Sequence, residues 1–124
     1  MSTAIDRARL VLVVDDDDMI RRLVRTVLEA DDLDVIEAQD GTAALAAATA
    51  GRPTVVVLDV MMPGLNGVEV CRQLDHKDVK VIMLTARDDP DLEAEAREAG
   101  ADAFLTKPFS AIELLEIVET MLGT

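Results

Sequence analysis

Three short runs of apolar, mostly β-branched residues, at positions 10–14, 54–58 and 79–84, limit what this chain can fold into. None of them alternates polar with apolar residues, so none suits a strand with one face in water. Unbroken runs of this length fit strands of a parallel sheet covered by helices on both sides. A weaker run at 33–38 carries Asp34 and Glu37 among its apolar residues and reads as an edge strand. The last and shortest candidate, 103–105, also reads as an edge strand.

Helical patterns fill the intervals. Over 18–30, Ile20, Leu23, Val24, Val27 and Leu28 recur at helical spacing and predict one core-facing stripe. Residues 40–50 are mostly alanine, a strong helix former, with Gly51 and Pro53 as stop signals. Residues 66–74 place Val70, Cys71 and Leu74 on one side. Pro90 opens a helix over 90–99 whose inner face holds only Leu92, Ala96 and Ala99, and Gly100 ends it. The final helix, 110–122, takes Ser110 as N-cap and shows a stripe of Ala111, Leu114, Leu115, Val118 and Leu122. A strand followed by a helix, five times over, predicts an α/β domain with a parallel sheet and right-handed crossovers. No internal repeat or low-complexity linker divides the 124 residues, so a single domain spanning 1–124 is expected, with no effector domain.

Composition narrows the function classes. Twelve Lys+Arg stand against 25 Asp+Glu, a net charge of −13. Phosphates would be repelled, so direct nucleic-acid binding by this chain is not expected. No apolar run approaches the ~20 residues of a membrane span, and no charged start plus apolar stretch resembles a signal peptide. The one cysteine, Cys71, excludes an internal disulfide, is read as a small buried core residue, and suits a reducing cytoplasm. His76 lies in a polar stretch, Asp75-His76-Lys77-Asp78, and is read as surface filler.

In open α/β sheets, ligands bind outside the carboxyl ends of the strands. The acids at 15–18 follow the first strand, Asp59 ends the third, Thr85 ends the fourth, and Lys107 follows the fifth. Asp17 and Asp18 are read as ordinary capping residues and favourable charge at a helix start. Asp59 is different: an acid straight after five apolar strand residues is poorly placed for solvation. Were the first and third strands neighbours, Asp15, Asp16 and Asp59 would converge, each raising the others' pKa unless a cation compensates. Carboxylates without His or Cys select a hard ion such as Mg²⁺. With Lys107 as a fixed positive charge and Thr85 as a hydroxyl donor, such a site suits phosphoryl transfer. A carboxylate beside the metal can itself be the nucleophile.

The motifs Asp15-Asp16, Leu58-Asp59-Val60-Met61-Met62-Pro63-Gly64-Leu65-Asn66-Gly67, Met83-Leu84-Thr85-Ala86, Gly100-Ala101-Asp102-Ala103-Phe104 and Lys107-Pro108-Phe109 occur in this order. Over residues 9–122 the chain resembles a receiver domain of a two-component response regulator, in the chemotaxis-regulator-like superfamily. The resemblance implies a flavodoxin-like, three-layer α/β/α fold with five parallel strands in the order 2-1-3-4-5 and five helices. Asp59 would take a phosphoryl group from a phosphohistidine of a sensor histidine kinase or a phosphotransfer protein. Asp16, Asp59 and the backbone carbonyl of Met61 would bind Mg²⁺ or Mn²⁺, with Asp15 acting directly or through water, and Lys107 would contact the phosphoryl group. Lys107-Pro108 would be cis, a form that proline makes accessible. Thr85 and Phe104 would form the switch pair; phenylalanine stands where the family commonly has tyrosine, so the ring lacks a hydroxyl. Slow self-dephosphorylation is implied, and no turnover substrate.

The resemblance further implies output through the face formed by the fourth and fifth helices and the fifth strand, toward a downstream partner or a missing C-terminal effector domain. Residues 88–124 hold ten acids and two bases, a net of −8, and no Lys or Arg follows Lys107. A salt-bridged symmetric dimer is therefore not expected, and the chain is read as a monomer or weak dimer. Among rivals, a haloacid-dehalogenase-type phosphatase needs a second acid where Met61 stands. An FMN carrier needs a hydroxyl- and glycine-rich loop after the first strand. The remaining alternative is a receiver-like interaction module that works without phosphorylation, whose usual sign, loss of Asp59 or Lys107, is absent.

Overall fold

The structure, a computed structural model, describes residues 9–86 and 89–123. Its elements in chain order are β1 (Leu10–Val14), α1 (Asp18–Ala30), β2 (Asp34–Ala38), α2 (Gly41–Gly51), β3 (Val55–Asp59), α3 (Gly67–Gln73), β4 (Lys80–Thr85), α4 (Pro90–Glu98), β5 (Ala103–Thr106) and α5 (Ala111–Leu122). The strands form one parallel sheet in the order β2-β1-β3-β4-β5, with the two weaker runs at its edges. This is the flavodoxin-like arrangement expected.

Alternate residues of each strand feed opposite layers, as the pleat requires. Leu12, Val14, Val56, Leu58, Val81 and Met83 pack under α2, α3 and α4, against Ala44, Val70, Cys71 and Ala96. Val11, Val13, Val55, Val57, Ile82 and Leu84 pack under α1 and α5, against Val24, Leu28, Leu114 and Val118. Each fully buried Val or Leu contributes about 1.5–3 kcal/mol of transfer free energy, and both faces of the central strands supply them. Polar ends are satisfied locally. Asp17, Asp40, Asn66, Asp89 and Ser110 cap the five helices, with Ser110 and Glu113 forming a reciprocal capping box.

Several expectations shift. β3 and β4 each start one residue later than the apolar runs, while Asp59 and Thr85 end them as the sequence predicts. The ladder carries them: Asp59 pairs with Leu84, and Thr85 with Thr106. Leu23 is exposed, because α1 buries the line Val24–Leu28 flanked by Ile20 and Val27, and Leu23 falls outside that width. Ala111, the first residue of α5, is exposed as well. α2 runs through Gly51 and ends on Arg52 in the left-handed conformation. His76 is more than filler: its ring packs over Gly100, and Nε2 donates to the Cys71 carbonyl at 2.5 Å, joining α3 to the turn before β5. Cys71 is fully buried, as expected.

One contact holds the loop after β3 close. A Cβ on Gly67 would lie 2.2 Å from the Asp59 carbonyl oxygen and 2.8 Å from Val60 Cα, both backbone atoms that cannot give way. Gly64 has a positive φ of 74° but open space around it. Gly67→Ala should therefore cost about 3 kcal/mol or more in urea unfolding followed by circular dichroism. Gly64→Ala, strained only by its backbone angle, should cost about 1 kcal/mol. Equal losses would contradict this packing.

Candidate functional site

β1 and β3 are neighbours, with Val14 opposite Leu58, so the residues that follow come off the sheet side by side. One carboxylate oxygen each from Asp15, Asp16 and Asp59 lies within 4.8 Å of the other two. Asp15 is fully buried and Asp59 is 5% exposed, while Asp16 stands in solvent. Lys107 reaches in from the end of β5. Its Nζ donates to Asp15 Oδ2 at 3.0 Å and lies 3.5 Å from Asp59 Oδ1. The lysine side chain is 25% exposed, so this triad sits in low dielectric, where a charge left unpaired is costly.

The three acids are not equivalent. Both carboxylate oxygens of Asp15 are taken, Oδ2 by Lys107 and Oδ1 by the backbone N–H of Asp17 at 2.9 Å. Asp59 Oδ1 accepts from the Met61 backbone N–H at 3.3 Å. No hydrogen bond among the described residues reaches Asp59 Oδ2. Burial first, and then the Asp15 charge, pushes the Asp59 carboxyl up to about 6, against the opposing pull of Lys107 and the Met61 N–H. Burial alone would lower the Lys107 ammonium, but its hydrogen bond to Asp15 and the charge of Asp59 hold it above the ordinary lysine value. One ammonium thus leaves two buried carboxylates incompletely compensated.

The remaining expected residues fall at the same edge with different contacts. Thr85 is buried, and its backbone carbonyl accepts from the Lys107 N–H at 2.6 Å, which ties the lysine's backbone to the end of β4. No hydrogen bond among the described residues joins the Thr85 hydroxyl to the carboxylates. Lys107-Pro108 is cis. Asp17 caps α1, accepting from the Met19 and Ile20 N–H groups, and Asp18 pairs with Arg21, so both take the structural roles read for them. Phe104 is half-buried on β5 with the Arg97 guanidinium 4.6 Å from its ring centroid. Neither Arg97 nor Arg21 is marked by the sequence alone, yet the Arg21 guanidinium also reaches the Asp15 carbonyl. The i,i+3 spacing of Asp18 and Arg21 was visible in the sequence; the contacts across the fold were not.

An oxygen-only set of three converging carboxylates, two of them buried with one ammonium between them, fits a hard divalent cation such as Mg²⁺. The class is then defined: a 2-1-3-4-5 parallel α/β domain with an acidic, lysine-bridged site where the strand order reverses. Within that class, the family model described as response regulator receiver domain matches residues 11–119, and the chain belongs to this family. It is 46% identical over 114 residues to the response regulator MprA of Mycolicibacterium vanbaalenii, covering 90% of this chain and 49% of that protein. Against the transcriptional regulatory protein ResD of Bacillus subtilis it is 41% identical over 113 residues, covering 90% and 47%. The chain thus spans about half the length of these curated relatives. Among solved structures it resembles the Vibrio cholerae chemotaxis protein CheY4, with a TM-score of 0.86 and 34% identity over 90% of this chain and 97% of that one. The Francisella response regulator 1452 receiver domain gives a TM-score of 0.85 at 35% identity, covering 93% and 97%. None of the helices among the described residues is long and apolar enough to cross a membrane.

The raised Asp59 carboxyl fixes the sign of a pH effect. Its ordinary value is 3.8 and its folded value about 6. Between those pH values the folded chain binds the extra proton, so this group's contribution to stability falls as pH rises through the window and is flat above it. In chelator, Asp59→Asn should stabilise the chain at pH 7.5 by up to about 3 kcal/mol, with the gain shrinking toward zero near pH 4. Thermal unfolding at both pH values checks this; a gain that does not depend on pH would contradict it.

Proposed function

We propose that this chain is a phosphoacceptor switch in which Asp59 takes a phosphoryl group from a phosphohistidine of a sensor histidine kinase or a phosphotransfer protein. The observation that carries the reading is the unequal engagement of the two buried acids: both oxygens of Asp15 are occupied, while Asp59, whose Oδ1 lies 3.5 Å from Lys107 Nζ, has an Oδ2 that accepts no hydrogen bond among the described residues. A lone pair on that oxygen forms the new P–O bond as the P–N bond to the imidazole breaks. The imidazole nitrogen keeps the electron pair of the broken bond. Lys107 places its positive charge on the phosphoryl oxygens. Asp15, Asp16, Asp59 and the Met61 carbonyl would hold Mg²⁺ or Mn²⁺, which when bound neutralises phosphoryl charge. Burial of Asp59 limits water at the acyl phosphate, in keeping with slow self-dephosphorylation and no turnover substrate.

The apolar residues around the edge suit a docking donor. Met19 and Leu23 on α1, Met61 after β3 and Ile112 on α5 are the large hydrophobic side chains exposed among the described residues. After transfer, the Thr85 hydroxyl turns toward the phosphoryl group, and Phe104 moves with it. α4 is held to the core mainly through Leu92, Ala96 and Ala99, so a small bias suffices to shift its pose. Output passes through the face of α4, β5 and α5 to a downstream protein or a C-terminal effector domain. The named relatives, about twice this length, include transcriptional regulatory proteins. In this reading the receiver itself, at net −13, contacts no nucleic acid, stays a monomer or weak dimer and works in the cytoplasm.

Intact-mass measurement after incubation with acetyl phosphate and Mg²⁺ tests the reading. The chain should gain about 80 Da, the mass of one phosphoryl group, and the gain should vanish with chelator and in Asp59→Asn. A folded chain that gains nothing under any condition would instead be an interaction module that works without phosphorylation.

A further inference from the structure

Arg21 sits in the first turn of α1 and spans three elements. Its Nη1 donates to the backbone carbonyl of Asp15 at 2.9 Å, its Nε to Glu37 Oε1 on β2 at 3.0 Å, and its Nη2 to Asp18 Oδ1 at 2.6 Å. The side chain is only 14% exposed. A planar guanidinium with all three directions occupied cannot rotate. Two carboxylates, Asp18 and Glu37, already match its charge, so what it supplies to the Asp15 carbonyl is direction rather than field.

That carbonyl belongs to the peptide plane joining Asp15 to Asp16. The orientation of this plane sets where the Asp16 carboxylate projects. The Asp15 side chain is held independently by Lys107 and the Asp17 N–H. No hydrogen bond among the described residues reaches the Asp16 side chain, which stands in solvent. Its aim toward the other two carboxylates therefore depends on the backbone behind it. Arg21 grips that backbone from the β2 side.

We propose that Arg21 is a positioning residue for the cation site, holding the Asp15–Asp16 peptide so that both carboxylates face the same point; this rests on the metal-dependent phosphoacceptor reading above. The group orients ligands without touching the ion, and losing such a partner typically weakens metal binding by about 10–100-fold. Arg25 provides the control. It also pairs with Glu37, and with Glu29, but among the described residues it has no hydrogen bond or ion pair at the site.

Calorimetric Mg²⁺ titration of the full chain, well below the unfolding midpoint of every variant, separates positioning from general stability. Arg21→Met should weaken Mg²⁺ binding about tenfold or more, while Arg25→Met loses a Glu37 pair and some thermal stability yet binds Mg²⁺ like the parent. Should Arg21→Met fold poorly, Arg21→Lys keeps the charge and stem but cannot serve three acceptors, and it should show a similar loss. Equal weakening in the Arg21 and Arg25 variants, or parental affinity in both Arg21 variants, overturns the proposal. Absence of Mg²⁺ binding by the parent chain overturns it together with the cation site; acetyl phosphate labelling of the parent then reports separately whether Asp59 still accepts phosphate.

Discussion

A single ammonium group, Lys107 Nζ, stands between Asp15 at 3.0 Å and Asp59 at 3.5 Å, with both carboxylates withdrawn from water. Two negative charges and one positive charge in that setting do not balance. The imbalance is visible in the Asp59 carboxyl, pushed up to about 6 by burial and by its neighbour Asp15. The pair is held because the sheet leaves it no choice: β1 and β3 are adjacent and in register, so the acids at their carboxyl ends must emerge together. Such an edge is relieved by a cation, by a proton or by a partner that brings its own compensating charge. Phosphoryl chemistry uses the first of these.

The rest of the fold serves that edge. Two apolar layers lock the central strands from both faces, so the ends of β1, β3 and β4 cannot drift. The close approach of Gly67 to the Asp59 carbonyl folds the following loop back against the site. The Thr85 carbonyl fixes the Lys107 backbone, while Arg21 fixes the Asp15 peptide from the opposite side. By contrast, α4 rests on few apolar residues, with Arg97 laid over the half-buried Phe104. A rigid site beside a lightly held helix is the arrangement a switch requires, since chemistry needs fixed geometry and response needs a low-cost displacement.

Much of this was legible in the chain itself. Unbroken runs such as Val55-Val56-Val57-Leu58 have no face to offer water, so a parallel, doubly covered sheet followed directly. The conjunction of Asp15, Asp16, Asp59, Thr85 and Lys107 at one sheet edge needed only the strand ends. Periodicity was less reliable where two elements compete for one residue. Leu23 matched the α1 stripe but lies outside the width the sheet can cover, and His76 looked like loop filler until the turn at Gly100 came to rest beneath its ring. Arg21 was hidden for the same reason: of its three partners only Asp18 is close on the helix, while Glu37 and the Asp15 carbonyl reach it through tertiary structure.

The location of the phosphoryl group is the most direct test, because three acids share the site and only Asp59 lies buried beside the lysine with an oxygen that accepts no hydrogen bond among the described residues. An acyl phosphate is reduced by borohydride to the primary alcohol, which converts the modified aspartate to homoserine and marks it permanently. After reaction with acetyl phosphate and Mg²⁺, reduction and peptide mapping should place the label on Asp59, with Asp15 and Asp16 unmarked. A label on Asp15 or Asp16, or distributed among the three, would contradict the account of how this edge divides its work.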